Sequence, residues 1–193
     1  MLFEKARDFI FKKQEKDFPA SLSYHTIHHV RDVYECADRI AAEENISSHD
    51  RKLLLTAAAF HDCGFLKMRE GHENKSCCIA RDVLPVFDYT DNDIETVCGM
   101  IMATRLPQSP QNHLEQILAD ADLDYLGRDD FFPIGDRLFE ELLKAGRIRN
   151  HEDWNRLQVS FMEKHNYFTQ TAISQRKPKK DDNLAQVKAK LKA

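Results

Sequence analysis

LLLTAAAFHD, residues 53–62, ends an apolar run directly on a histidine and a carboxylate. The run does not alternate, so it reads as one buried helix, capped by Asp50 and stopped at Gly64. An imidazole and a carboxylate at the buried end of a helix are costly unless something satisfies them, and a metal ion would. A His-Asp pair by itself carries little weight, since His49-Asp50 is a second one. Position separates the two. His49-Asp50 precedes its helix, where Asp is an ordinary cap, whereas His61-Asp62 follows the apolar stretch.

Two other segments answer it. SYHTIHHVRDV, residues 23–33, sets three histidines within five positions. Ser23 reads as the cap of a helix with Ile27, Val30, Val33, Ala37, Ile40 and Ala41 on one face. His25 and His29 are four apart and share a face, while His28 points about 100° away from His29 and reads as exposed. Downstream, ILADADLDYLG, residues 117–127, places Asp120, Asp122 and Asp124 within an apolar helix. Three helices thus offer nitrogen or oxygen donors beside a core. Such a mixed set suits Mn, Fe, Co, Ni or Zn and leaves positions open for water.

The rest of the chain supplies more helices and no strand pattern. With six Gly and six Pro, the predicted segments run about 2–16, 73–84, 93–104, 114–126, 132–145 and 151–173. The expected fold class is all-α, with one domain over 1–173 and a polar, Lys-rich tail over 174–193. Trp154, Phe161 and Tyr167 fall at helical spacing that reads as packing. Apolar residues make up 42% and charged residues 31%, the balance of a folded globular chain. A net charge of -4 argues against nucleic acid as the main partner. Charges interrupt the N-terminal segment, so neither a signal peptide nor a membrane span is expected there. Five cysteines without a C-x-x-C point to small core residues in a reducing cytoplasm rather than to disulfides.

YHTIHHVRDV, AAFHDCGF, HENKS, MIMATR and ILADADLDYLG, in that order over about residues 21–127, resemble the HD-domain superfamily of metal-dependent phosphohydrolases. EKHNYFTQTA, residues 163–172, also resembles the end of one bacterial branch. The resemblance implies an all-α bundle holding one divalent transition metal, with a second ion as an alternative. By motif, His29, His61, Asp62 and Asp122 correspond to the ligands, with Asp120 the neighbouring alternative to Asp122. His25 resembles the imidazole that protonates the leaving oxygen in cyclic-nucleotide phosphodiesterase relatives, although Thr26 stands where Asn is usual. The implied reaction is attack of metal-bound hydroxide on the phosphorus of a nucleotide or other small phosphoester, with Asp62 both ligating and orienting the water. His72 and Glu73 stand where some relatives place second-metal ligands and are candidate substrate contacts, as are Lys67 and Arg105 for phosphate.

Two departures narrow the resemblance. Several nucleotidases of the superfamily carry a catalytic Glu three residues after the HD aspartate, where this chain has Phe65. The further histidine pair of cyclic-di-GMP phosphodiesterases is also missing. Phe60, Phe65, Phe131 and Phe132 are read as core or pocket lining without a role. Two alternatives stand beside the hydrolase: a regulatory module that binds metal and nucleotide without turnover, and an HD-fold di-iron oxygenase.

Overall fold

Apolar residues spaced three and four apart give each segment one stripe to bury, and helices that pair their stripes form the core. The computed structural model describes residues 1–192. Its helices are Phe3–Asp17 (α1), Ile27–Glu43 (α2), Ser48–Phe60 (α3), His72–Val83 (α4), Asp91–Ala103 (α5), His113–Asp122 (α6), Phe131–Lys144 (α7), His151–Lys164 (α8) and Gln170–Lys190 (α9). Short 3-10 turns occupy Cys63–Leu66, Leu84–Phe87 and Asp124–Gly127. No strand occurs among the described residues, and the fold is all-α as expected. The chain divides into two compact units, residues 1–19 with 25–122, and residues 20–24 with 123 onward.

In the first unit, Ile10, Val33, Ile40, Leu54, Phe60, Met100, Ile101, Ile117 and Leu118 belong to one core cluster. Every residue of α3 from Leu53 to Phe60 is buried, so the stretch shows no polar face. Its cap is Ser47, whose hydroxyl oxygen accepts the Asp50 N–H at 3.1 Å, and not Asp50 as the sequence suggested. The free N–H groups lie inside the first turn, so the residue that caps them must come before it. Ser23, expected to cap α2, errs in the other direction: it lies upstream of the cap position, which Thr26 holds. Helix α2 starts at Ile27 after the extended Thr26, so His25 precedes the helix instead of riding on it. A Cβ on Gly64 would lie 2.0 Å from the His72 carbonyl oxygen. Only glycine lets the turn after His61-Asp62 approach the start of α4 this closely.

In the second unit, Tyr125, Leu126, Phe131, Met162 and Val187 form one cluster, and Phe139, Ile148 and Trp154 a smaller one. The helix predicted over 151–173 is two helices. His165 is extended, and the Thr169 hydroxyl accepts the Ala172 N–H to start α9. No Pro or Gly marks the break. Its signature is that His165, Tyr167 and Thr169 are buried around the exposed Asn166, the period of an extended chain.

Residues 174–190, expected as a solvated tail, continue α9, and Lys180, Asn183 and Val187 of that helix are buried. The Asn183 amide donates to the Leu126 and Arg128 carbonyls, each at 3.0 Å. A Cβ on Gly127 would lie 2.3 Å from the Arg176 carbonyl oxygen, so α9 crosses the Asp124–Gly127 turn where only glycine fits. Composition hid this helix because its anchors are one valine, an amide and a lysine rather than an apolar stripe. Residue 193 of that expected tail lies outside the described residues. No helix among those described is long and apolar enough to cross a membrane.

Candidate metal centre

The end of α3, the first turns of α2 and the last residue of α6 bring four side chains together in the first unit. His29 Nε2 lies 3.2 Å from Asp122 Oδ1 and 3.5 Å from both His61 Nε2 and Asp62 Oδ2. His61 Nε2 lies 3.4 Å from Asp62 Oδ2 and 3.6 Å from Asp122 Oδ1. Ligand atoms about 2.1 Å from one ion lie about 3.0–3.4 Å apart at octahedral or tetrahedral angles. The observed separations are close to that spacing. One atom each from His29, His61 and Asp122 falls within a mutual 4.8 Å. Asp62 Oδ2 is buried and accepts no hydrogen bond, which leaves a lone pair turned towards the two imidazoles. A buried oxygen without a donor is expensive, and a cation would satisfy it. By spacing, donor type and this orphaned oxygen, the four residues fit a divalent metal.

The surrounding bonds fix the orientation. His61 Nδ1 donates to the Ala58 carbonyl at 2.8 Å, which turns Nε2 to the centre. Ser76, fully buried, donates its hydroxyl to the His61 carbonyl at 2.6 Å and accepts the Gly64 N–H at 2.8 Å. It ties the end of α3 to α4. His72 Nδ1 donates to the Arg69 carbonyl at 3.0 Å, and His72 Nε2 lies 3.3 Å from Asp62 Oδ1 and 3.7 Å from Glu73 Oε1. The two oxygens of Asp62 therefore face different imidazoles.

Without metal, burial works against charge on His61, but Asp62 and Asp122 outweigh it and raise its pKa well above the histidine range. Burial likewise pushes the Asp62 carboxyl up, yet His61 and then His72 hold it well below the carboxylate range. Asp122 is also lowered, by His29 and His61 against the opposing effect of burial. His72 is raised by Asp62 despite its own desolvation. The same arrangement that stabilises a proton on His61 stabilises a cation in its place.

His25, His29, His61, Asp62, His72, Glu73 and Asp122 thus gather in one region, and the His25 ring lies 5.9 Å from that of His29. Asp122 takes the place beside the histidines, while Asp120 is fully buried. Two residues along a helix point about 200° apart, so one site cannot use both. Lys67 and Arg105 are exposed on the surface. Phe65 was given no role from sequence, yet its ring stacks on both His25 and His72. Ser76 was missed as well. Its one signal was a polar residue four positions after His72, on the same face of a helix.

No curated protein and no solved structure matches the chain. The HD domain family model matches residues 26–124, half of the chain, a span that contains His29, His61, Asp62 and Asp122 and begins just after His25. The chain belongs to the HD domain family.

Proposed function

We propose that this protein is a metal-dependent phosphohydrolase acting on a nucleotide or other small phosphoester. The observation that carries the reading is the meeting of the partly buried His29 and Asp122 with the buried His61 beside the orphaned Asp62 Oδ2. These four residues would hold the ion, which is Mn, Fe, Co, Ni or Zn by donor type. When bound, such an ion lowers the pKa of water and polarises a phosphoryl oxygen.

The remaining steps belong to the chain. Asp62, free to ligate through Oδ2, orients the attacking water. An imidazole nitrogen of His25 carries the proton that goes to the leaving oxygen. His72, with Glu73 beside it, meets the phosphate at the lip of the centre, and the exposed Lys67 and Arg105 add positive charge for an anionic substrate. Five free cysteines support a reducing cytoplasm as the place of action.

Mass-spectrometric metal content of wild type and Asp62→Ala, followed by phosphoester assays with the identified metal, tests the reading. The expected result is one or two ions per wild-type chain, lost in the variant, with hydrolysis that follows the metal. Metal and nucleotide bound without turnover would instead make the chain a sensing module. Bound iron with redox-active absorption and no hydrolysis would make it an oxygenase. Wild type left empty after incubation with all five metals would end the hydrolase reading.

A further inference from the structure

Phe65 is 5% exposed and comes from the 3-10 turn directly after His61-Asp62. Its ring stacks on His25, with centroids 4.2 Å and planes 23° apart, and on His72, at 4.1 Å and 30°. The two imidazoles are themselves 6.2 Å apart, so the three centroids form a triangle with Phe65 at its apex. The Arg69 guanidinium lies 5.7 Å from the same ring. Neither imidazole is placed by a helix interior. His25 lies in the non-helical segment before α2, and His72 is the first residue of α4. What the two share is contact with one buried aromatic side chain. Ring stacking restricts both the separation and the tilt of its members.

We propose that Phe65 is a positioning residue. It sets the distance and tilt between His25 and His72 so that both imidazoles engage one phosphoester at the metal centre. The proposal rests on the phosphohydrolase reading. It also gives a use to the departure at this position. Where a carboxylate would add negative charge beside Asp62, the ring adds none, and the anionic substrate meets two imidazoles against an apolar wall. Leucine fills similar space but cannot stack, and a displacement of about 1 Å at a reacting group costs roughly 100-fold in rate.

The test compares wild type, Phe65→Leu and Phe65→Tyr. Manganese-loaded protein is assayed on p-nitrophenyl phosphate and bis(p-nitrophenyl) phosphate. Metal per chain and thermal unfolding are measured alongside, and histidine ring signals are recorded by NMR on zinc-loaded protein. Phe65→Leu is expected to keep its metal and its cooperative unfolding, and to lose roughly 10–100-fold in kcat with KM little changed. Its His25 and His72 ring protons move out of the ring current. Phe65→Tyr, which keeps the ring, retains most of kcat and the wild-type signals. Wild-type kcat in Phe65→Leu overturns the proposal. So does loss of metal or fold in step with activity, or an equal loss in Phe65→Tyr, because each assigns Phe65 to packing alone. If wild type binds metal but hydrolyses neither ester, nor any nucleotide with the metal it holds as purified, the phosphohydrolase reading falls. The contact between the imidazoles still decides Phe65: a nuclear Overhauser contact between the His25 and His72 rings that persists in Phe65→Leu overturns its hold on them, and one lost in Phe65→Leu but kept in Phe65→Tyr upholds it.

Discussion

Glu141 of the second unit and Asp62 of the first are both buried carboxylates, closed off from water in opposite ways. Glu141 is fully buried, and its Oε2 accepts the N–H groups of Ser23 at 3.0 Å and Tyr24 at 2.8 Å. Asp62 is 3% exposed, and its Oδ2 faces two imidazole nitrogens without accepting a hydrogen bond. The neighbouring polar groups repeat the contrast. Asn183 donates to two carbonyls, Arg176 pairs with Asp124 at 2.8 Å, and Lys180 donates to the His165 carbonyl. Around Asp62, side chains face one another instead. A buried polar group that bonds to the backbone is part of how the chain closes on itself. A set of buried donor atoms that converge on one another at ligand spacing is ready for something the chain does not contain.

The sharpest way to break this comparison is Asp62→Ala. It is expected to lose the metal and to lower hydrolysis by well over 100-fold, because partners one layer further from a metal already cost about 10–100-fold. Metal content and kcat/KM read it. Equal metal in variant and wild type would place Asp62 with Glu141 as a structural group.

Chelation is next. Removing a metal present at about 1,000 times its Kd costs about 4 kcal/mol of stability, seen as a lower Tm. The pH dependence of the stripped protein has a definite sign. His61 is raised on folding, so its contribution is complete below the ordinary histidine pKa of 6.5 and lost as pH rises through the folded value. Asp62 and Asp122 are lowered, so theirs is present above about 3.8 and lost as pH falls through the folded values. Metal binding needs His61 unprotonated at Nε2, so the metal-loaded protein is expected to lack the alkaline loss. Tm against pH, with and without chelator, checks both limbs.

Glu141→Leu leaves the Ser23 and Tyr24 N–H groups without their acceptor, at about 1–3 kcal/mol each. Denaturant unfolding is expected to show that loss, while metal per folded chain stays at the wild-type value. Asn183→Ala removes two bonds to carbonyls and costs about 1–2 kcal/mol, again without effect on metal content. The smallest effect belongs to Asp93, which closes a capping box with Thr90 at the start of α5. Burial opposes its charge, but the bonds from Thr90 hold its carboxyl below the ordinary range. That contribution is present above about pH 3.8 and lost as pH falls through the folded value. Asp93→Asn should flatten this part of the acid limb by no more than about 1 kcal/mol, the size of a cap.

Legibility in the sequence followed the kind of interaction. The α3 helix was readable because an unbroken apolar run has one cheap solution, burial on all sides. The His61-Asp62 pair stood out because donor side chains at the end of an apolar helix violate the pattern around them. The full ligand set of His29, His61, Asp62 and Asp122 followed only from the family resemblance. Cap positions at Ser23 and Asp50 were misplaced by a few residues, since Ser47 and Thr26 serve equally well by type and only backbone geometry chooses among them. The break at His165 and the burial of α9 left weak traces, because side-chain bonds to distant carbonyls have no sequence period. Of the five cysteines read as core, four are buried and Cys78 is exposed.

Residue types and spacing alone determined that this chain is helical, that it carries imidazoles and carboxylates where a core should be, and that these resemble the HD pattern. Such properties are local: a helix period and a donor atom are written in a few consecutive residues. The tertiary structure decided which atoms meet. It chose Asp122 beside His29, gave the two oxygens of Asp62 different neighbours, and set Phe65 against His25 and His72. Those pairings depend on how helices pack and on where glycine admits close approach, as at Gly64 against His72. Distances of 3 to 4 Å between residues tens of positions apart follow from the packed fold and from no short stretch of the chain.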